Sequence, residues 1–199
     1  MKRLRGCALE PLVPEPELEE LIGKVLVHEV RGTRSAGIIT EAEAYIGESD
    51  PACHAAPGPT MRNAPLYGPP GRAYVYLNYG IHYLVNAVTE AEGSPAAVLI
   101  RALDPIEGLK LMARRRGKTT DLCSGPGNLT VAMGINLRQN RADLTDGPLR
   151  IEDHGFVPGA LEWSPRIGIR VGTDRHWRCQ TTPGVVFSRK DNPRRRPNG

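Results

Sequence analysis

Residues 73–86 read AYVYLNYGIHYLVN, and this stretch decides the kind of sheet that the chain can form. Two apolar runs flank a turn-like NYG tripeptide at 78–80, a composition typical of a β-hairpin. Because side chains alternate along a strand, Tyr74 and Tyr76 share one face. Four of the six tyrosines lie in this stretch, although aromatic residues make up only 5% of the chain. The pattern predicts a hairpin with rings on one face and a further tyrosine, Tyr79, at its tip.

The hairpin has two interpretations. A tyrosine at a hairpin tip is poorly placed for a core and well placed for insertion into a partner. Alternatively, the two strands form an ordinary buried pair whose rings are simply amphipathic. The hairpin sequence by itself does not decide between them.

The segments around the hairpin predict both helices and strands. PEPELEELIG (14–23) reads as a short helix that leads into a strand at Lys24–Val30. SAGIITEAEAYIG (35–47) alternates as a strand, and PAAVLIRAL (95–103) suits a strand buried on both faces. We expect a helix from Asp104 to about Arg115, with Asp104 as its N-cap and proline in its first turn. The remaining predicted elements are a helix in LTVAMGI (129–135) and short strands near Leu149–Glu152, Arg166–Val171 and Val185–Ser188.

This order of elements predicts an α+β fold: a single domain with a mixed, mostly antiparallel curved β-sheet, surrounding helices and a protruding β-hairpin. We assign residues 1–190 to the domain and residues 191–199 to a basic C-terminal tail. The long stretch DPACHAAPGPTMRNAPLYGPPG (50–71), rich in Pro, Gly and Ala, is predicted to be an irregular loop. A loop of that length within a compact domain is often functional.

Composition and charge exclude several classes of protein. No apolar run approaches the roughly 20 residues that span a bilayer, and the basic start has no apolar signal region. We therefore expect no membrane association and a cytoplasmic protein. Four cysteines without a CxxC pair argue against an iron–sulfur cluster or zinc ribbon, and no metal or cofactor is expected. The net charge is +4, and its uneven distribution favours a polyanionic partner, with a solvated arginine-rich surface as the alternative.

Two glutamates stand out on the strand at 35–47. Glu41 and Glu43 project the same way from an otherwise apolar segment, and Tyr45 follows two residues later. Exposed acids at a solvated sheet edge are the usual explanation of such a pair. The alternative is a catalytic carboxylate beside an aromatic ring, and spacing alone does not choose between them.

Seven segments, taken in order, resemble the signature segments of the alkyladenine (3-methyladenine) DNA glycosylases. They are EAEAYIG (41–47), DPACH (50–54), TMRN (60–63), YVYLNYGIHYLVN (74–86), VLIRALDPIEG (98–108), LCSGPGNL (122–129) and RIGI (166–169). The resemblance covers about residues 20–172, and the order and spacing of its segments make it specific. It implies a base-excision-repair enzyme that acts on duplex DNA.

The resemblance also implies roles for individual residues. Glu43 corresponds to the glutamate that activates water against the sugar C1′, and Arg101 and the backbone of Ile167 correspond to groups that hold that water. Tyr79 corresponds to the intercalating tyrosine, and Arg62 to a basic residue that contacts the DNA backbone. The residues implied to enclose or adjoin the flipped base are Tyr45, His54, Tyr76, Asn86 and Leu99.

Structural alternatives exist for several of these residues. His54 could cap a turn in its Pro/Ala loop, and Asn86 and Arg101 could make satisfied hydrogen bonds or ion pairs within buried strands. Tyr74 and Tyr83 are expected to be packing residues rather than ligands.

The implied function is a monofunctional DNA-3-methyladenine-type glycosylase. It would flip alkylated or deaminated purines out of double-stranded DNA, hydrolyse the N-glycosidic bond without a cofactor and leave an abasic site. We expect a monomer associated with the nucleoid. Two rivals are a damaged-DNA-binding module without chemistry, which the presence of Glu43 disfavours, and a hydrolase of free nucleosides. Unlike a hydrolase of free nucleosides, an enzyme that acts on the duplex should lose affinity steeply with salt.

Overall fold

Ten strands and three α-helices follow one another along residues 15–181 and 188–189, which are the residues described by this computed structural model. The helices are α1 (Glu15–Leu21), α2 (Leu109–Arg116) and α3 (Pro126–Met133). The strands are β1 (Val25–Val30), β2 (Thr33–Ile46), β3 (Ala73–Asn78), β4 (His82–Val88), β5 (Ala96–Glu107), β6 (Leu149–Glu152), β7 (Phe156–Val157), β8 (Leu161–Ser164), β9 (Arg178–Thr181) and β10 (Ser188–Arg189). Single 3₁₀ turns occupy Ala64–Tyr67 and Leu137–Gln139.

Eight of these strands form one curled antiparallel sheet. Six of them lie in the order β3-β4-β5-β2-β1-β6, and β8 and β9 lie off this path. Strand β9 extends the sheet by pairing with both β2 and β8. The predicted α+β fold, with one domain and a curved sheet that is mostly antiparallel, is therefore confirmed. In the part of the chain that the structure describes, no helix is long and apolar enough to cross a membrane.

Strand β2 is the centre of the sheet. One edge pairs with β5 along most of its 14 residues. The other edge pairs first with β1, over Thr33–Ile38, and then with β9, over Glu41–Glu43. The two glutamates consequently lie where three strands meet, far from any solvated sheet edge.

Two β-bulges interrupt the ladder between β2 and β5 beside these glutamates. The register runs from Ile39 opposite Leu103 to Glu41 opposite Ala102, and then to Ala42 opposite Ile100. Thr40 is thus the extra residue on β2, and Arg101 is the extra residue on β5. A bulge leaves its extra residue without a ladder partner and re-aims its side chain. The second bulge restores the register that the first one shifts.

The main core lies between one face of the sheet and the helices. Helix α3 packs on β4 and β5, and α2 packs on α3. The largest fully buried apolar side chains of this core include Leu18, Leu26, Ile39, Ile100, Met112, Leu129 and Met133. Tyr83 packs against the same core, as expected of a packing residue.

A second, smaller apolar cluster lies on the face of β3 that carries the tyrosine rings. Cys53, Ala55 and Leu66 from the long loop pack there against Tyr74. Tyr45, Tyr67 and Tyr76 pack against this cluster with only part of their surface buried. The loop therefore covers the ring-bearing face of the hairpin instead of extending freely into solvent.

The helix predicted from Asp104 is wrong at its start. Asp104 pairs with Ile38, and Pro105 pairs with Gly37, so β5 continues to Glu107. Proline is tolerated because β4 pairs with β5 only further back, over Ala97–Leu99, and leaves that edge unpaired by β4. Helix α2 begins instead at Leu109, after a Gly108 that has a φ of 78°.

The predicted strand at Arg166–Val171 is also wrong. This segment has no regular structure, and Gly168 has a φ of 81°, which a strand residue does not adopt. The amide of Ile167 is bonded to a side chain rather than to a neighbouring strand. Of the strand predicted at Val185–Ser188, residues 185–187 lie outside the described residues, and Ser188 belongs to β10. The tail at 191–199 also lies outside them.

Candidate active site

A cavity of about 380 Å³ opens on the ring-bearing face of the sheet. Its volume is in the range of small-molecule sites. Of the ten site residues predicted from the sequence, eight line it: Tyr45, His54, Tyr76, Tyr79, Asn86, Leu99, Arg101 and Ile167. The other two, Glu43 and Arg62, are not part of its wall and contact residues that are.

Glu43 lies directly behind the cavity wall. Its side chain has no exposed surface, and its carboxylate accepts hydrogen bonds from residues that line the cavity. The Ile167 amide donates to Oε1 at 2.7 Å, and the Tyr45 hydroxyl donates to Oε2 at 2.8 Å. A guanidinium nitrogen of Arg101 lies 3.2 Å from Oε1. A carboxylate accepts about four hydrogen bonds, so these three groups leave room for about one more donor.

The second glutamate is tied to the same arginine. Arg101 Nε donates to Glu41 Oε1 at 2.7 Å, so one guanidinium bridges both carboxylates. Arg178, from β9, donates to the same oxygen at 2.6 Å and to the Ser164 hydroxyl at 2.8 Å. The bulge at Arg101 makes this bridge possible because it turns the side chain toward β2. We refer to Glu41, Glu43, Arg101 and Arg178 as the acid cluster.

Aromatic rings form the opposite side of the cavity. The rings of His54 and Tyr76 lie edge to face with their centroids 4.5 Å apart, and Tyr74 lies 5.2 Å from Tyr76. Tyr74 is 2% exposed, and its hydroxyl lies 2.9 Å from His54 Nδ1. His54 therefore belongs to an aromatic wall and is not a turn cap. Tyr74 is mainly a packing residue, although it also lines the cavity.

Burial sets the protonation of this wall. It lowers the pKa of His54, and the nearby Arg62 guanidinium lowers it further. Burial also raises the pKa of Tyr74 to about 12 and that of Tyr76 well above its ordinary value. The pKa of Tyr45 is raised by burial and then by the Glu43 carboxylate. Near neutral pH the wall therefore consists of uncharged rings.

Asn86 and Leu99 face each other across β4 and β5 at the end of the cavity. Asn86 is buried, and its amide nitrogen donates to the Tyr74 carbonyl at 3.0 Å. The core hydrogen bond weighed as an alternative for Asn86 is thus present, and the residue lines the cavity as well. The ion pair that was the alternative for Arg101 is also present, with Glu41, and Arg101 lines the cavity as well.

The cavity mouth carries exposed apolar side chains beside a basic residue. Tyr79 at the hairpin tip is 86% exposed, and Ile81 is 72% exposed. Arg62 reaches across from the loop, where it donates to the Leu77 carbonyl at 3.3 Å and lies 5.8 Å from the Tyr76 ring. We call Arg62, Leu77, Tyr79 and Ile81 the rim. Among the two interpretations of the hairpin, an entirely buried strand pair is excluded by the exposed tip.

Sequence reasoning missed the buried ion pair of Asp50 and Arg166. Both side chains have no exposed surface. Arg166 NH2 donates to Asp50 Oδ1 at 2.8 Å, and NH1 donates to Oδ2 and to the Ala44 carbonyl. Because Ala44 lies between Glu43 and Tyr45, the pair supports both. The sequence signals were the presence of Asp50 in DPACH and of Arg166 in RIGI, two segments whose implied roles concern His54 and Ile167.

Known proteins resemble this chain along most of its length. A sequence model of the family described as "Methylpurine-DNA glycosylase (MPG)" matches residues 17–182. Two relatives bear the name "Putative 3-methyladenine DNA glycosylase". The one from Rubrobacter xylanophilus is 48% identical over 181 residues, covering 90% of this chain and 93% of the relative. The one from Prosthecochloris aestuarii is 48% identical over 180 residues, covering 87% and 86%. The chain belongs to the methylpurine-DNA glycosylase family and is a DNA glycosylase, a hydrolase of base excision repair.

Proposed function

We propose that the protein flips alkylated or deaminated purines out of double-stranded DNA and hydrolyses their N-glycosidic bond with a water activated by Glu43. The observation that carries this proposal is the position of Glu43. A fully buried carboxylate receives three donors from the wall of an aromatic cavity and retains capacity for about one more. A water molecule bound there would lie between Glu43 and the cavity.

Extrusion of the base is required because its glycosidic bond cannot be reached inside the stack, and it costs a few kcal/mol. The exposed ring of Tyr79 is placed to fill the vacated space, which would offset part of that cost. Arg62, on the same rim, would attract the phosphate backbone.

The uncharged rings of Tyr45 and Tyr76 suit a cationic purine. Alkylation at N3 or N7 makes the base positive, and each ring face attracts such a cation by about 0.5–2 kcal/mol. His54 completes the enclosure, and Asn86 and Leu99 form the end against which the base edge would rest. Undamaged purines lack this positive charge, so alkylated, cationic purines would be preferred over them.

One carboxylate is sufficient for the chemistry of a cationic base, which leaves without being protonated. Glu43 would take a proton from water while Arg101 and the Ile167 backbone hold that water against C1′. Its negative charge would stabilise the oxocarbenium-like sugar of the transition state. The seven segments that resemble the family contain no lysine for a Schiff-base lyase step, so the enzyme is proposed to be monofunctional.

The proposal extends to the form and location of the protein. Residues 1–190 act as one glycosylase domain, with residues 191–199 as a basic tail, and the protein works as a monomer on cytoplasmic, nucleoid-associated DNA. The cavity supports a monomer, because the eight predicted residues that line it all come from this chain.

The decisive experiment replaces Glu43, the proposed general base, and then Glu41, its neighbour on the same strand. Glu43→Gln keeps the shape of the side chain, so damaged duplex is still bound while single-turnover excision of 7-methylguanine falls about 100- to 10,000-fold. Glu41→Gln is the matched control, two residues away on the same strand and bonded to the same arginine, and it should cause a much smaller loss. Equal losses in both variants, or unchanged excision in Glu43→Gln, would refute the assigned role.

A further inference from the structure

The Asp50–Arg166 pair lies behind Tyr45, on the protein side of the cavity wall. The Arg166 guanidinium carbon lies 4.6 Å from the centroid of the Tyr45 ring and 5.1 Å from that of Trp177. The Arg166 side chain has no exposed surface, and Arg166 is not among the residues that line the cavity. A permanent positive charge is therefore stacked against a ring that would bind the damaged base.

Such a charge works against the proposed substrate unless it is neutralised. The cation–π attraction of Tyr45 for a positive purine competes with direct repulsion by the guanidinium beyond the ring. A purine stacked on the free face would lie about 8 Å from it, and at an effective dielectric constant of about 20 the repulsion changes a binding constant about 30-fold. A neutral purine experiences no such penalty.

Asp50 is the group that neutralises this charge. Its carboxylate is bonded to both terminal nitrogens of Arg166 and has no exposed surface, so the pair is not screened by solvent. The other charged groups near Tyr45 and Asp50 are Glu43, which accepts from the Tyr45 hydroxyl, and Arg175, which lies 3.5 Å from Asp50. Without Asp50, Arg166 would keep only its weaker interaction with the Glu43 carboxylate, and Arg175 would lose the carboxylate beside it.

We infer that Asp50 determines the specificity of the cavity for charge: by neutralising Arg166 behind Tyr45, it allows a cationic purine to bind. The inference rests on the proposed function. It adds a residue that touches neither the base nor the reacting atoms and that acts through Arg166. The base and sugar of a cationic lesion together carry a charge of +1 from flipping to the transition state, so both binding and excision depend on Asp50.

The test compares two lesions in the same duplex. Duplexes carry 7-methylguanine, which is cationic, or hypoxanthine, which is neutral, each on a 2′-fluoro sugar that resists hydrolysis. Dissociation constants are measured for the wild type and for Asp50→Asn, whose single amide oxygen can still accept from the backbone amide of either Ile46 or Ala52. We expect affinity for the cationic lesion to fall about 10- to 30-fold more than affinity for the neutral one. An equal loss for both lesions, or no loss, would overturn the inference.

A double variant separates charge from damage to the fold. Asp50→Asn combined with Arg166→Gln removes both charges, so the preference between the two lesions should return toward that of the wild type even if both affinities fall. A preference as skewed as in the single variant would show that charge is not the cause. Unfolding temperatures of all variants identify any that are not folded under the assay conditions.

The matched control is Glu152→Gln. Glu152 forms a similar two-bonded pair with Arg34, away from the cavity, and its replacement changes the net charge by the same amount. It should leave the preference between the lesions unchanged. Excision of the corresponding 2′-deoxy lesions is measured in parallel: a wild type that binds with the expected preference but excises neither purine would defeat the proposed chemistry and leave the role of Asp50 intact.

Discussion

The acid cluster and the rim lie at the same cavity and are built in opposite ways. Each charged group of the acid cluster is held by at least two partners, and Glu43 has no exposed surface. In the rim, by contrast, Tyr79 is 86% exposed and Ile81 is 72% exposed. A group that handles a proton gains from fixed geometry and exclusion of water. A side chain that inserts into DNA must be exposed to solvent in the unbound protein.

The largest effect on stability is expected from Arg101→Met, which changes the acid cluster. It removes the guanidinium that bridges the two carboxylates, so that Glu41 keeps only Arg178 as a cationic partner and Glu43 keeps only two neutral donors. Loss of one partner from a buried ion pair typically costs about 3–5 kcal/mol. We expect the free energy of unfolding in urea to fall by that order and single-turnover excision to fall about 100-fold.

Arg34→Met provides the comparison for that loss. Arg34 pairs with Glu107 and Glu152 away from the cavity, in a more exposed position. It should lower stability less and leave excision unchanged. If Arg101→Met lost stability but excised normally under folded conditions, the acid cluster would be a structural feature only.

A smaller effect is expected from Tyr79→Ser, which attacks the rim. The ring makes few contacts with the protein, so the free energy of unfolding should change by no more than about 0.5 kcal/mol. The flipped population, followed by the fluorescence of ethenoadenine in the duplex, should fall about tenfold because a stacking contact is lost. Leu109→Ser, at an exposed position far along the chain, should change neither. A chemical rate that falls as much as flipping would contradict the separation of the two regions.

The smallest expected effect is the pH dependence of stability and excision that arises from His54 in the aromatic wall. Because burial and Arg62 lower the pKa of His54, this ring is neutral at pH 7 and binds its proton only below the pKa of about 6.5 of an unfolded histidine. The unfolded chain therefore takes up the proton first, and stability that is present above that pH is lost as the pH falls. The imidazolium would also repel a cationic base, so excision should fall a few-fold at low pH.

Two histidine variants separate the pH dependence of unfolding from the pH dependence of excision. The pKa of His28 is likewise lowered by burial, but its ring is bonded to the Met133 carbonyl in the core. His54→Gln should remove the acid limb from the pH profile of 7-methylguanine excision. His28→Gln should alter only the pH dependence of unfolding. An acid limb that persists unchanged in His54→Gln would rule out this ring as its source.

The sequence predicted the parts of the fold that depend on local patterns. Alternation and turn composition were sufficient for the hairpin, for β2 and for Glu41 and Glu43 on one strand face. The resemblance then indicated eight of the residues that line the cavity. Roles for those residues are still predictions, because burial and contact do not measure catalysis.

What sequence patterns did not predict depends on contacts between distant segments. Asp104-Pro105 has the local composition of a helix start, but pairing with β2 extends β5 through both residues. The role of Glu41 depends on Arg101 and Arg178, which are 60 and 137 residues away along the chain. Asp50 and Arg166 are 116 residues apart. No periodicity connects positions so far separated.

The hairpin turn at Asn78–Ile81 carries a conformational cost in the unbound protein. Tyr79 has a φ of 48° and Gly80 a φ of 71°, while the Ile81 amide donates to the Asn78 carbonyl at 3.0 Å. Turns with two such residues favour glycine and asparagine, and a bulky side chain there is disfavoured by about 1 kcal/mol. Selection for heat resistance alone would therefore tend to replace this tyrosine with glycine or asparagine. A variant selected only for thermal stability, without an assay of DNA repair, is therefore expected to carry a substitution at position 79.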